Sequence, residues 1–354
     1  MRRGPAVARV YWLELAGETD AFAACEAATA AAGVELLAPG IAGAGSVGPG
    51  VTRLAYTRAA HAAVARTDAA VAPAVAALEA APLDRRGSVA VRARNVRNTA
   101  AVSTARAERK LGRVLVDRGF AVDLDDPDHV LRALFAAGPR ADHDAVAGAD
   151  GETAAVCVLG WVEHEPAREF APAPTDRPFF QPGSMAPADA RAYVNLAGAA
   201  PGRTLLDPMC GTGGLPLEAV LVGADAIGCD AQPKMVRGAR ENLRAHADPP
   251  DGRGGGSWGV LGGDAADLPL VDDAVDGVVF DAPYGRQSKI ARHELADLVG
   301  DALAEAARVA DRAVVVADRD WRSLARAAGW SVAAGFERRV HRSLTRHVLV
   351  TRRK

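Results

Sequence analysis

The sequence predicts an α/β chain: a Rossmann-like domain in the C-terminal half, preceded by α+β units. Three observations predict it. After Phe179, short apolar segments ending in acidic residues alternate with helical stretches, the pattern of a parallel sheet buried on both faces. A glycine-rich turn, LLDPMCGTGG at 205–214, follows the first of those strands. The alternation then stops: SVAAGFERRVHRSLTRHVLVTR at 331–352 holds two strands with no helix between them. An antiparallel hairpin of that kind closes a methyltransferase-type sheet rather than a dinucleotide-binding one.

The chain has 354 residues, enough for two or three domains of about 100–200 residues each. Residues 7–15 read as a strand, 19–32 as a helix, 39–50 as a glycine-rich loop or hairpin, 51–57 as a strand and 67–80 as an Ala-rich helix. These form a first α+β unit, 1–82. A second unit, 83–164, holds the strand SVAVRARNV, a basic helix at 101–118, a short strand in GFAVDLDDP, and the strands HVLRALFAA and TAAVCVLGWVEH. A Pro-rich linker, 165–178, leads to the domain 179–354. Its strands are expected at 204–207, 226–230, 259–264, 276–281 and 312–318.

Composition narrows the class. No apolar run approaches the roughly 20 residues of a membrane span. The start, MRRGPAVARVYWLELAG, is basic and then apolar, but Glu14 interrupts it, and it reads as a strand rather than a signal. The four cysteines, Cys25, Cys157, Cys210 and Cys229, are scattered without a CxxC pair. Reduced thiols in a cytoplasmic, monomeric protein are expected, with no metal site.

The net charge of −2 does not announce a nucleic-acid binder. Its distribution does more. Arg85, Arg86, Arg92, Arg94, Arg97, Arg106, Arg109, Lys110, Arg113 and Arg118 face only Glu108 and Asp117. An acidic stretch follows from Asp123 to Asp150, and the C-terminus is basic again through Arg338, Arg339, Arg342, Arg346, Arg352, Arg353 and Lys354. Each cluster alone also fits an ordinary solvated face.

Chemistry concentrates at the predicted strand ends. Asp207 precedes glycines that include Gly211 and Gly213, where backbone can approach a ligand closely. No Lys-Ser/Thr pair follows, which disfavours a phosphate cradle. Asp207 suits the cationic amino-acid end of S-adenosylmethionine. Asp230, at the next strand end, can accept ribose hydroxyls. Asp264 suits the adenine amino group, with the Ala265 backbone alongside. Each acid alone would serve as a helix cap; three at successive strand ends point to a nucleoside ligand.

FDAPYG at 280–285 follows the fourth strand. An exocyclic base amine is a poor nucleophile because its lone pair is conjugated into the ring. It needs acceptors for its N–H groups while the methyl transfers. Asp281 offers a carboxylate, the backbone of Ala282 a carbonyl, Pro283 the turn, and Tyr284 a face for stacking. The base must be splayed out of its helix to reach them.

At these motifs the sequence resembles the archaeal tRNA (guanine(10)-N2)-methyltransferases, over nearly the whole chain. LLDPMCGTGGLPLEAVLVGADAIGCDAQPKMVRGARENL is similar to their cofactor motif, DAPYGRQS to their catalytic motif, and VHRSLTRHVLV to their last hairpin. The family often has Pro where Ala282 stands. RPFFQPGSMAPADARAYVNLAG is similar to the segment that leads into the domain and reaches the methionine end of the cofactor. The resemblance implies a class I methyltransferase domain behind ferredoxin-like and THUMP domains, with GRVLVDRGFAVDLDDPDHVLRA as the best-matching THUMP stretch. It adds Pro182, Ser184 and Cys210 to the cofactor residues. It also implies that the THUMP domain engages the 3′ end of tRNA, with Arg92, Arg94, Arg97, Arg109 and Arg113 as candidate phosphate contacts. The reaction implied is methyl transfer to N2 of guanosine 10, once or twice. The alternatives are another nucleic-acid amine, in ribosomal RNA guanosine or DNA adenine, and a non-catalytic RNA-binding protein.

Overall fold

The computed structural model describes residues 10–139, 153–247, 255–284, 292–342 and 344–354. Residues 7–9 of the first expected strand, the acids 142, 144 and 150, and GRQS at 285–288 lie outside the described residues. The chain divides into two units, Met1–Arg168 and Glu169–Lys354.

The first unit runs β1 (Tyr11–Leu15), α1 (Asp20–Ala27), β2 (Ala31–Ala32), β3 (Glu35–Ala38), β4 (Ile41–Ala44), β5 (Ser46–Val47) and β6 (Thr57–Asp68). It continues through α2 (Val71–Ala80), β7 (Ser88–Asn95), α3 (Thr104–Asp117), β8 (Ala121–Val122), β9 (His129–Pro139) and β10 (Thr153–His164). One eight-stranded sheet, ordered β3-β4-β1-β6-β10-β9-β7-β8, takes strands from both halves of the unit. On α3, Ala107, Leu111, Val114 and Leu115 are buried, an apolar stripe at helical spacing. The Ser103 hydroxyl caps the helix by accepting the Arg106 amide at 3.3 Å.

Two expectations fail here. The strand expected at 51–57 is a short 3-10 turn over Pro49–Arg53, and the real strand begins at Thr57. That strand, β6, is TRAAHAAVARTD, in which small alanines fall on both faces and blur the in–out alternation that would reveal it. The helix expected over 19–32 stops at Ala27, and Ala31–Ala32 pair instead with Ser46–Val47. Alanine favours helix, but cross-strand pairing decides the conformation there.

In the second unit, α4 (Pro187–Ala197) precedes β11 (Thr204–Asp207), α5 (Gly214–Leu221), β12 (Asp225–Asp230), α6 (Pro233–His246) and β13 (Trp258–Gly262). Then come β14 (Gly277–Asp281), α7 (Arg292–Val309), β15 (Arg312–Ala317), α8 (Arg322–Ala327), β16 (Trp330–His341) and β17 (Leu344–Arg353). The sheet order is β13-β12-β11-β14-β15-β17-β16. Strands β11 to β15 are parallel, and β17 pairs antiparallel with β15 and β16. This is the Rossmann-like class I methyltransferase sheet, closed by its hairpin. Its order reverses between β11 and β14, which sets Asp207 and Asp281 at neighbouring carboxyl ends, where open α/β sheets bind ligands. Residues just after the unit boundary pack on it: the Ala171 amide donates to Glu218 Oε1 at 2.8 Å, and Arg191 pairs with Glu218 at 2.7 Å. No described helix is long and apolar enough to cross a membrane.

Candidate active site

Three carboxylates converge where the sheet order reverses. Asp207, Asp230 and Asp281 each end a strand, β11, β12 and β14 respectively. A cavity of about 210 Å³ is lined by Pro182, Ser184, Asp207, Cys210, Gly211 and Asp281, among others. A second, of about 560 Å³, is lined by Asp230, Val236, Arg240 and Asp264, among others. Asp230 joins the two, because its Oδ2 accepts the Gly211 amide at 2.9 Å while Oδ1 accepts the Gln232 amide at 2.8 Å.

The glycine-rich turn is shaped by close packing. Gly213 has φ +78°, and a Cβ there would lie 3.1 Å from Ala239 Cβ. Only glycine takes that backbone without strain. Asn242, fully buried, holds the turn against the preceding segment: its side chain bonds the Phe179 amide and carbonyl at 2.9 and 2.8 Å and the Thr212 carbonyl at 2.9 Å. Ser184 donates to the Gln181 carbonyl at 2.7 Å and lies 3.4 Å from the Thr212 hydroxyl. Asp264 is exposed and accepts the Ala266 amide at 3.0 Å, turning the chain so that Ala265 is buried.

Burial, the dominant cause, raises the Asp207 carboxyl well above the usual carboxylate range; the Met209 amide opposes it, and Asp230 and Asp281 reinforce it. Burial likewise pushes Asp281 up to about 6, against the pull of Arg346 and the Tyr284 hydrogen bond. Clustered, dehydrated acids of this kind favour a cation beside them. An S-adenosylmethionine fits: its ammonium and sulfonium carry positive charge, and its nucleoside matches the larger cavity's acids. Asp207 would hold the amino-acid end, with Pro182, Ser184, Cys210 and Gly211 around it. Asp230, Asp264 and Ala265 would hold the nucleoside.

The same shift has a stability consequence. A carboxyl whose folded pKa is raised stabilises the fold fully below its unfolded value and loses that contribution as pH rises through the window above it. Asp207→Asn is therefore expected to raise the melting temperature at neutral pH, with little change at about pH 4, near the unfolded value. Cofactor affinity should fall in the same variant. A melting temperature that drops equally at both pH values would contradict it.

The FDAPY motif is held by a residue that sequence reasoning missed. Tyr284 donates its hydroxyl to Asp281 Oδ1 at 2.7 Å and accepts from Arg346 Nε at 2.8 Å. Another guanidinium nitrogen stands 3.5 Å from Asp281 Oδ2. Arg346 belongs to a basic run that suggests a solvated face, yet it is 2% exposed. A signal for this exists in the sequence: Arg346, Val348 and Val350 share one strand face, and both valines are buried. Ala282 is buried, its amide bonded to the Val316 carbonyl at 2.8 Å, and Pro283 is half-buried.

The five arginines proposed for RNA contact separate in their surroundings. Arg94 pairs with the buried Glu14 at 2.5 Å, and Arg97 with Asp20 at 2.5 Å. Arg92 donates to the Leu124 carbonyl at 2.6 Å. Arg109 and Arg113 are exposed on α3, Arg113 lying 3.2 Å from Asp117.

The family model described as UPF0020, RMKL-like, methyltransferase domain, matches residues 174–347. The tRNA (guanine(10)-N2)-dimethyltransferase of Methanothermobacter thermautotrophicus is 34% identical over 276 residues, covering 76% of this chain and 74% of that one. The chain belongs to the tRNA (guanine(10)-N2)-dimethyltransferase family. The enzyme of that name from Pyrococcus abyssi is 28% identical over 274 residues, 75% of this chain and 74% of its own. A shorter match, 33% over 103 residues, joins 28% of this chain to 19% of the U6 snRNA (guanine-N(2))-methyltransferase THUMPD2 of Bos taurus.

Proposed function

We propose that the chain is an S-adenosylmethionine-dependent tRNA methyltransferase that acts on N2 of guanosine 10, in one round or two. The observation that carries this reading is the shared cavity of Asp207 and Asp281 in a chain of this family. The free, buried thiols of Cys157, Cys210 and Cys229 suit a reducing, cytoplasmic setting.

S-adenosylmethionine, when bound, supplies a methyl group on a positively charged sulfur. Asp207 would anchor its cationic end. Asp281 accepts one N–H of the guanine amine, and the Ala282 carbonyl accepts the other. Asp281 Oδ2 would take the proton that the amine loses on gaining the methyl group. A carboxyl with a pKa of about 6 returns that proton to water at neutral pH. Tyr284, its hydroxyl fixed, presents its ring to the base. Alignment and preorganised acceptors supply the rate.

The test is incubation of the chain with unmodified tRNA transcripts and labelled cofactor, followed by nucleoside mass spectrometry. N2-methylguanosine or its dimethyl form should appear, and a transcript with adenosine at position 10 should remain unlabelled. Label at another nucleotide, or in both transcripts, would refute the assignment. The partial match to a U6 snRNA enzyme favours a second reading, another RNA guanine with the same chemistry. A U6 transcript run in parallel separates the two.

The N-terminal unit, divided near residue 82 into ferredoxin-like and THUMP parts, is proposed to bind the tRNA 3′ end. Arg109 and Arg113 are its best candidates for pairing with phosphates, since both are exposed and the Asp117 beside Arg113 is exposed too, whereas Arg94 and Arg97 satisfy buried carboxylates of the fold. Arg109→Gln with Arg113→Gln should flatten the log–log salt dependence of tRNA binding by roughly 0.7–0.9 for each phosphate the arginines had neutralised. An unchanged slope in filter-binding titrations would place the RNA elsewhere on the unit.

A further inference from the structure

The hairpin that closes the sheet also reaches the catalytic motif. Strand β17 pairs with β15 as far as Ala317↔His347, and β14 pairs with β15 at Asp281↔Val316. Arg346 is the next residue along β17, so it arrives at the same rim as Asp281. Its three guanidinium nitrogens each face a partner. Nε donates to the Tyr284 hydroxyl at 2.8 Å, one terminal nitrogen lies 3.5 Å from Asp281 Oδ2, and the other lies 4.0 Å from Asp189 Oδ2. Asp189, on α4, is itself pinned by Arg338 of β16 at 2.7 Å. Tyr284 completes a closed ring by donating to Asp281 Oδ1 at 2.7 Å. A planar guanidinium can engage three groups at once, and a lysine ammonium on its flexible stem cannot hold that geometry.

Most of the charges around Asp281 are negative. Asp207 from β11, Asp189 from α4 and Asp318 beyond β15 face it, together with Tyr284 and Arg346. Arg338 pairs with Asp189 and Arg319 with Asp318, and Arg346 is the guanidinium that faces Asp281 itself.

We propose that Arg346 is a positioning residue of the methyl transfer: acting through Tyr284 and Asp281, it orients both and keeps Asp281 the anion that receives the amine's proton. This rests on the proposed function, because it assigns Arg346 a part in that same reaction. Burial alone would carry Asp281 above its value of about 6, and the Arg346 charge is the largest influence holding it down. Asp281 accepts a proton only when ionised, so the rate rises with pH through its pKa. Removing the cation raises that pKa and moves the acid limb to higher pH.

The test uses the full chain with aspartate labelled with ¹³C at Cγ, the Asp281 signal being assigned by its loss in Asp281→Asn. In Arg346→Met the Asp281 midpoint should rise by about one pH unit or more. In Arg346→Lys, which keeps the charge, it should return most of the way to the parent value. The acid limb of the tRNA methylation rate should move with the midpoint, giving about a tenfold loss per unit at a pH below both limbs. A folded Arg346→Met chain whose midpoint and limb coincide with the parent's would overturn the proposal. A loss of rate equal at every pH, with the midpoint unmoved, would do the same and leave Arg346 a packing residue. If the parent methylated no guanosine, the proposed function would fail on that result, while the carboxyl titration would still decide whether Arg346 governs Asp281.

Discussion

Asp281→Ala is expected to slow methyl transfer roughly 10²–10³-fold, the loss found when one preorganised polar group is removed from a reacting centre. Asp281 ends β14; its Oδ1 accepts the Tyr284 hydroxyl, and its Oδ2, 3.5 Å from the Arg346 guanidinium, is the oxygen proposed to meet the amine. Alanine removes the side-chain acceptor and leaves the Ala282 carbonyl to support the amine. It also takes a hydrogen bond from Tyr284, so the stacking face loosens. Cofactor affinity should change little, because Asp207 and Asp230 remain. The fold should tolerate the change: a carboxyl raised to about 6 costs stability above its unfolded value, and Arg346 keeps Asp189 at 4.0 Å. Single-turnover rates at saturating cofactor and tRNA are the measurement. Normal turnover would remove Asp281 from the mechanism. In the unaltered chain the rate should climb as pH rises through about 6, since only the ionised acid accepts.

The second unit was legible because its strands are short, apolar and end in acids. Strands at 204–207, 225–230 and 312–317 fall within a residue of their expected bounds. The acids at their ends were visible for the same reason: a charged residue directly after a buried strand stands out. Arg346 was not visible in that way. It reaches Tyr284 across 62 residues of sequence, through a strand order that one sequence does not state. The first unit was harder. In β6, TRAAHAAVARTD, alanine serves both faces, and alanine looks helical wherever neighbours do not decide otherwise. The basic run from Arg85 to Arg118 likewise hid two kinds of arginine. Arg94 and Arg97 close ion pairs with Glu14 and Asp20, whereas Arg109 and Arg113 face solvent. Charge counting cannot separate them, because the partners lie 80 and 77 residues away.

Asp230→Ala should weaken S-adenosylmethionine binding more than Asp264→Ala, although both acids line the larger cavity. Asp230 is 8% exposed, so a ribose hydroxyl bonded to it would meet a charged acceptor sheltered from water. A hydrogen bond to a charged group is worth about 1.5–3 kcal/mol, or roughly 10–150-fold in affinity. Asp230 also accepts the Gly211 and Gln232 amides, so its loss unties the glycine-rich turn from β12 and disturbs both ends of the cofactor at once. Asp264 is exposed, and water competes for its remaining oxygen; its removal should cost affinity without disturbing the turn at 207–213. Calorimetric titration of each variant with S-adenosylmethionine, alongside tRNA binding as the control, separates the two. Unchanged cofactor affinity in Asp230→Ala, or a larger loss in Asp264→Ala, would move the ribose away from the end of β12.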